Sequence, residues 1–211
     1  MTDEIVFYTH PMSRGRIVRW MLEEVGQPYR TEVLEYGTTM KSPNYLAINP
    51  MGKVPAVTWR GVTITECAAI CAWLADAFPQ AGLAPALNDP MRGTYLRWMF
   101  FAAGPMEAAV TAKSLGLLAP EDKQAMAGYG MFDHVVDALE RAVGGDGFVC
   151  GDQFTAADVY VGSQIQWGLM FKSLPDRPAL VDYTARIGGR PAAVRANALD
   201  DALMPKPAEP G

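Results

Sequence analysis

The chain has 211 residues, half of them hydrophobic, and 23 acidic against 18 basic side chains give it a formal net charge of −5. That is enough apolar chain for one large buried core or two small ones, and the acidic balance offers no basic footprint for nucleic acid. No apolar run approaches the ~20 residues of a membrane span. The acidic start, Met1-Thr2-Asp3-Glu4, lacks a signal-peptide pattern. Three cysteines do not suggest a disulfide framework, so the expectation is a reduced, cytoplasmic protein.

Glu4 to Thr9 is a short β-rich run ended by His10-Pro11. A helix follows, with Ser13 as its predicted N-cap and Ile17, Val18, Met21, Leu22 and Val25 on one face. Gly26 and Pro28 stop it. Tyr29 to Tyr36 reads as a second strand, and residues 37–50 as a loop with one helical turn around Asn44-Tyr45-Leu46. In Asn49-Pro50-Met51-Gly52-Lys53-Val54-Pro55-Ala56-Val57 a loop enters a third strand, Val54 to Trp59. Pro55 has no N–H for a ladder. A cis Val54-Pro55 bond would turn the Val54 N–H and C=O toward an extended partner such as a peptide; the alternative is an ordinary loop proline. Arg60-Gly61 turns the chain into a fourth strand, Val62 to Thr65, and Glu66 to Ala77 is a helix. Strand, helix, strand, hairpin and helix form a compact α/β unit of thioredoxin-like order.

Phe78 to Pro90 is a proline-rich linker, and no strand pattern returns after it. Helices are predicted at Met91 to Ser114, kinked at Gly104-Pro105, and at Pro120 to Val143, Thr155 to Phe171, Pro178 to Ile187 and Pro191 to Leu199. The expected division is a thioredoxin-like domain at 1–80, an all-helical domain at 88–203 and a loose tail at 204–211.

Several side chains invite a chemical reading. Arg14, Arg16 and Arg19 crowd the first turns of the first helix while Glu23 and Glu24 sit toward its end, which opposes the helix dipole. Either the positive cluster faces an anion, or this is a solvated face with an Arg19–Glu23 pair at i,i+4. Cys67 and Cys71 lie at i,i+4 without a histidine nearby, so metal binding is not expected. No Cys-x-x-Cys occurs, which disfavours disulfide-reductase chemistry. Thr155 to Asp158 reads as a capping box stapled by Phe154 and Val159, a folding device. Tyr95, Trp98, Met99, Phe100, Phe101 and Met106 read mainly as core of the long helix.

Four features in this order resemble the cytosolic glutathione transferases over nearly the whole chain. They are the turn from Tyr8 through Arg19 with Ser13 at the helix start, Lys53-Val54-Pro55, Thr65-Glu66-Cys67-Ala68-Ala69-Ile70, and Phe154-Thr155-Ala156-Ala157-Asp158-Val159. The serine-type turn and Asn-Pro-x-Gly-Lys-Val-Pro are most similar to bacterial, theta-like members. The resemblance implies a thioredoxin-like domain binding glutathione as co-substrate, a helical domain shaping a second site, a homodimer, no metal, and conjugation of the glutathione thiolate to hydrophobic electrophiles in detoxification. The implied alternatives are peroxide reduction, isomerisation, or a non-catalytic glutathione- or partner-binding protein. A thiol titrates near ~8.5 unperturbed, so such an enzyme must favour thiolate. The resemblance gives that role to Ser13, a hydroxyl donor at the positive end of a helix, with Tyr8 as the rival. Their plain readings are an N-cap and a half-buried strand aromatic. It also implies glutathione contacts at Arg14, Lys41, Lys53, Val54, Pro55, Glu66 and Cys67. Glu66 would take the γ-glutamyl ammonium and Lys41 or Lys53 the glycyl carboxylate. Cys67 stands where the family usually has serine. Met12, Tyr95, Trp98, Met99 and Met106 are the candidates for the apolar second site.

Overall fold

The computed structural model describes residues 3–204, so the tail expected at 204–211 lies, apart from Met204, outside the described residues. The chain separates into two compact units, one up to Leu74 and from Arg190 onward, the other Ala75–Gly189. The expected division at 80 and 88 did not anticipate that the last helix belongs with the first unit.

In the first unit, β1 (Ile5–Thr9) is followed by α1 (Gly15–Val25), β2 (Tyr29–Val33), the single turn α2 (Pro43–Leu46), β3 (Ala56–Trp59), β4 (Val62–Thr65) and α3 (Cys67–Ala77), whose last three residues fall in the second unit. The sheet order is β2-β1-β3-β4. β1 is parallel to β2, with Ile5 opposite Tyr29, and antiparallel to β3, with Phe7 opposite Val57. A parallel partner requires a crossover, and α1 supplies it. The apolar stripe predicted for α1 is buried, as are Phe7 and Val57 on the sheet and Ile70 and Leu74 on α3. This is the thioredoxin-like order read from the sequence. β2 ends at Val33 rather than Tyr36. The Leu34 N–H still reaches the Thr9 carbonyl, but the Glu35 N–H turns to the Thr39 hydroxyl and the strand stops.

The last helix, α9 (Pro191–Asp201), packs along α1. Arg16 pairs with Asp201 and Arg19 with Asp200, each at 2.7 Å. Glu24 accepts from Arg190 at 2.7 and 2.8 Å, and Glu23 from Arg195 at 3.1 Å. The anions that Arg16 and Arg19 face are therefore carboxylates of α9. The alternative Arg19–Glu23 pair is not formed. The register is antiparallel, so each helix carries charges that oppose its own dipole and complement its neighbour's.

The second unit is helical: α4 (Met91–Phe101), α5 (Glu107–Ser114), α6 (Phe132–Val143), α7 (Ala156–Met170) and α8 (Pro178–Gly188). The kink predicted at Gly104-Pro105 is a π-helical turn, Ala102–Met106, between α4 and α5. Pro105 has no N–H to give and the wider turn absorbs the loss. The helix predicted from Pro120 begins only at Phe132. Residues Glu121–Met126 form 3₁₀ turns, and Gly130, at φ 64°, breaks the path before α6. α7 is buried on nearly every side. Asp158 in its first turn is fully buried and accepts from the N–H groups of Thr155 and Val149 and from the Tyr183 hydroxyl, all at 2.8 Å. The predicted capping box is present and extends to the start of the preceding turn and to α8. Among the described residues no helix is long and apolar enough to cross a membrane.

Burial raises the Asp200 carboxyl above the ordinary aspartate range even though Arg19 lowers it. Folded Asp200 holds its proton more tightly than unfolded Asp200, so its contribution to stability is greatest in acid and declines as pH rises through the folded value. Removing Arg19 strands a buried carboxylate. Arg19→Met is expected to destabilise the protein by about 3–5 kcal/mol near neutral pH. The loss should be smaller in acid, and Arg19→Met with Asp200→Leu should recover most of it. Denaturant titrations of the three proteins at two pH values measure this.

Candidate active site

The turn from His10 to Ser13 joins β1 to α1, and each of its four carbonyls is occupied. The His10 carbonyl accepts from the Ser13 N–H at 3.0 Å and the Ser13 hydroxyl at 2.7 Å. The Pro11 carbonyl accepts from Arg16 Nε at 2.6 Å, the Met12 carbonyl from the Tyr36 hydroxyl at 3.2 Å, and the Ser13 carbonyl from the Arg16 N–H at 3.2 Å. The Met12 N–H donates to His10 Nδ1 at 3.1 Å. Ser13 is 6 % exposed and its oxygen accepts from the Gly15 N–H at 3.0 Å. The formal N-cap is Arg14, one residue later than predicted, and its side chain makes no cap bond. Ser13 still satisfies one of the free N–H groups that open α1.

Gly15 is dictated by close approach. A Cβ there would lie 1.9 Å from Thr9 Oγ1 and 3.0 Å from Ser13 Oγ. The Thr9 hydroxyl is buried and makes no hydrogen bond, so α1 starts hard against the end of β1. Tyr8, on that strand, is half-buried and packs on Tyr45 with ring centroids 5.6 Å apart. Met12 is 63 % exposed.

The Val54-Pro55 bond is cis, and the ladder of β3 begins only at Ala56. Val54, Tyr8, Leu34 and Ile48 pack around Met40, Tyr45 and Ala56. The loop before Val54 is fixed largely through its backbone. The Lys53 carbonyl accepts from the Tyr45 hydroxyl at 2.6 Å and from Asn49 Nδ2 at 2.8 Å. The Tyr45 phenol is pushed up by burial to about 12, so it remains a donor at ordinary pH. Lys41 places its ammonium on the carbonyls of Met51 and Gly52 at 3.2 and 2.8 Å. The Lys53 side chain is exposed.

Glu66 opens α3 at φ 66°, in the left-handed region. A glutamate held there is strained by roughly 1–2 kcal/mol, and its carbonyl accepts the first helical N–H, from Ile70. Cys67 is buried, and its thiol donates to the Arg14 carbonyl at 3.6 Å. This bond ties the start of α3 to the start of α1 and brings two sequence-predicted segments together. Cys71 is fully buried, which drives its thiol well above the ordinary range. Among the described residues no group of three or more His, Cys, Asp or Glu side chains is gathered to hold a metal. Tyr95, Trp98, Met99 and Met106 are all buried in the second unit.

Comparison with known proteins identifies the family. The family model for the glutathione S-transferase N-terminal domain matches residues 12–77, and the one for the C-terminal domain matches residues 123–186. This chain belongs to the glutathione transferase family. It is 26 % identical over 150 residues to glutathione S-transferase GstA of Escherichia coli O157:H7, which spans 70 % of this chain and 74 % of that protein. It is 28 % identical over 181 residues to the maleylacetoacetate isomerase of Pseudomonas aeruginosa, covering 80 % and 84 %. The solved sphingomonad glutathione S-transferase complexed with glutathione superimposes with a TM-score of 0.74 at 28 % identity, covering 93 % of this chain and 98 % of that one.

Residues that sequence reasoning missed are the braces of this transferase's turn and loop: His10, Tyr36, Asn49, and Asp201 behind Arg16. Asn49-Pro50 carried a readable signal, because Asn49 Oδ1 accepts from the Met51 N–H two residues on. Tyr36 and Asp201 carried none.

Gly15→Ala is expected to destabilise by about 1–3 kcal/mol through overpacking against Thr9. Because the Thr9 hydroxyl has no partner to lose, Thr9→Ala should rescue part of that loss. A double-mutant cycle of denaturation midpoints reads the coupling, and simple additivity would show that the two residues do not compete for the same space.

Proposed function

We propose that this transferase ionises glutathione at Ser13 and conjugates the thiolate to hydrophobic electrophiles. The observation that carries the reading is the double occupancy of the His10 carbonyl. The Ser13 hydroxyl can leave that carbonyl for a sulfur, because the Ser13 N–H still satisfies it. The exchange is favourable, since a hydrogen bond to an ionised acceptor is stronger than one to a neutral carbonyl. The positive end of the α1 dipole adds potential at the same place.

In this reading Tyr8 is a packing residue, in keeping with its stack on Tyr45. Val54 and Pro55 present the backbone to the extended tripeptide. Lys53 takes the glycyl carboxylate, because the Lys41 ammonium is engaged on two loop carbonyls. Glu66 takes the γ-glutamyl ammonium, which accounts for its strained backbone. Cys67 holds the γ-glutamyl carboxylate through its N–H, its thiol being directed to Arg14. Arg14, exposed at the mouth of α1, adds positive charge. Met12 meets the electrophile, and Tyr95, Trp98, Met99 and Met106, all buried, form the core of the helical unit. The protein works in the cytoplasm as a homodimer, for which Leu96 and Phe100, exposed at i,i+4 on α4, supply apolar surface.

A second reading, isomerisation, is supported by the match to a maleylacetoacetate isomerase over 181 residues, against 150 for GstA. It uses the same thiolate, which adds to a conjugated cis double bond, allows rotation and leaves again. Conjugation consumes glutathione and isomerisation regenerates it, so the thiol balance during turnover separates them. Retention on immobilised glutathione without turnover of either substrate type would favour a binding protein.

Ser13→Ala is expected to lower kcat by roughly severalfold to a hundredfold with little change in glutathione affinity, because it removes a donor used only by the developing charge. The pH dependence of enzyme-bound thiolate absorbance should shift upward in Ser13→Ala and stay put in Tyr8→Phe. The opposite pattern would move the role to Tyr8. For Glu66, replacement by glycine relieves left-handed strain while deleting the carboxylate. Glu66→Gly should gain stability by about 1 kcal/mol and lose glutathione affinity. Unchanged calorimetric affinity would remove Glu66 from the ligand site.

A further inference from the structure

We infer that His10 is a positioning residue for the thiolate site, acting through the Met12 peptide and not on glutathione itself; this rests on the Ser13 reading above. Four observations carry it. His10 is 8 % exposed and Nδ1 accepts from the Met12 N–H at 3.1 Å. That acceptor role leaves the ring proton on Nε2, which lies 3.5 Å from Glu35 Oε2. The imidazole packs on the Tyr36 ring, centroids 4.6 Å apart, and the Tyr36 hydroxyl donates to the Met12 carbonyl at 3.2 Å. Met12 is thus gripped at its N–H and its C=O by two rings that stack on each other, and the next residue is Ser13.

A ring nitrogen accepting from the N–H two residues on does what an asparagine does in an Asx-turn. Asparagine would suffice for the turn alone. The imidazole does more, because its face and its second nitrogen reach Tyr36 and Glu35, just beyond β2. It couples the turn carrying Ser13 to the segment after β2. With both nitrogens engaged, His10 has no free lone pair for substrate. Its effect on the chemistry is therefore geometric: it sets where the Ser13 hydroxyl points.

The test uses the full-length chain with His10→Asn, His10→Phe and His10→Ala. Asparagine restores an acceptor for the Met12 N–H without the ring, phenylalanine keeps the stack without an acceptor, and alanine has neither. Bound-glutathione thiolate absorbance against pH, kcat and the KM for glutathione are measured for each. Ligand-free exchange of the Met12 amide is followed by NMR. His10→Phe and His10→Ala should raise the apparent thiol pKa and lower kcat about tenfold with KM changed less than about twofold, as expected for an interaction used in the transition state. Their Met12 amides should exchange faster. His10→Asn should keep the amide protected and retain most of kcat. Asparagine behaving like alanine, or phenylalanine like wild type, overturns the inference. If His10→Phe does not fold, the asparagine–alanine pair decides. Should wild-type protein fail to ionise bound glutathione, the Ser13 reading fails instead, and the amide exchange still reports whether His10 holds the turn.

Discussion

With the proposed thiolate site at its N-terminus, helix α1 does two jobs that conflict, and the buried pair Arg19–Asp200 is where the conflict is resolved. A helix that opens on an anion site needs positive potential at its N-terminus. Arginines there raise that potential, but they repel the helix's own dipole. Here Arg16 and Arg19 are tied down by carboxylates of α9, while Glu23 and Glu24 find arginines at the other end of that helix. Ion pairing of this kind is weak evidence for net stability, since desolvation offsets much of the attraction. What it supplies is register. Four charge pairs along two antiparallel helices allow one alignment, and that alignment fixes Arg16, whose Nε holds the Pro11 carbonyl. The position of the Ser13 turn therefore depends on a helix that begins more than 170 residues later in the chain.

Much of the fold was legible because its signals are local. The order of strands and helices in the first unit follows from period-2 and period-3.6 patterns with Gly and Pro at the ends. Pro55 signalled an interruption where the sheet ladder does begin late. Thr155 and Asp158 announced the start of α7. Errors came where local pattern and tertiary context disagree. Helical propensity continued from Pro120 to Val143, but glycines and 3₁₀ turns delay α6 to Phe132. β2 was read to Tyr36, yet the chain turns away after Val33, which frees Tyr36 to reach Met12.

The site was legible to a different degree. The resemblance to glutathione transferases proposed Ser13, Val54, Pro55, Glu66 and Cys67, and all five lie at turns or element starts, where backbone and side chains are presented together. What each side chain does was not legible. Arg16 and Arg19 read either as part of a cluster facing an anion or as a solvated face, and their partners are carboxylates of α9. Lys41 looked like a carboxylate binder and holds two loop carbonyls. Cys67 looked like a failed serine, and its thiol joins two helix starts. For the arginines and Cys67 the partner is a carboxylate or a carbonyl far away in sequence, for Lys41 a pair of carbonyls in the following loop, and no periodicity or spacing encodes any of them.

These assignments together imply that specificity and reactivity are separately constructed in this protein. The proposed thiolate site is assembled from the Ser13 hydroxyl and backbone groups whose positions are fixed by buried or half-buried braces: His10, Tyr45, Asn49 and Arg16. Such a site is preorganised, and a preorganised donor stabilises charge without reorganising when the charge appears. The apolar candidates obey another logic. Tyr95, Trp98, Met99 and Met106 are fully committed to packing, so changing any of them alters the core of the helical unit before it alters a ligand. Met12 is exposed, and its backbone is held at both ends while its side chain is free. In the proposed site, substrate preference can therefore drift at Met12 with little effect on the turn, whereas the same number of changes at His10 or Arg16 would displace Ser13.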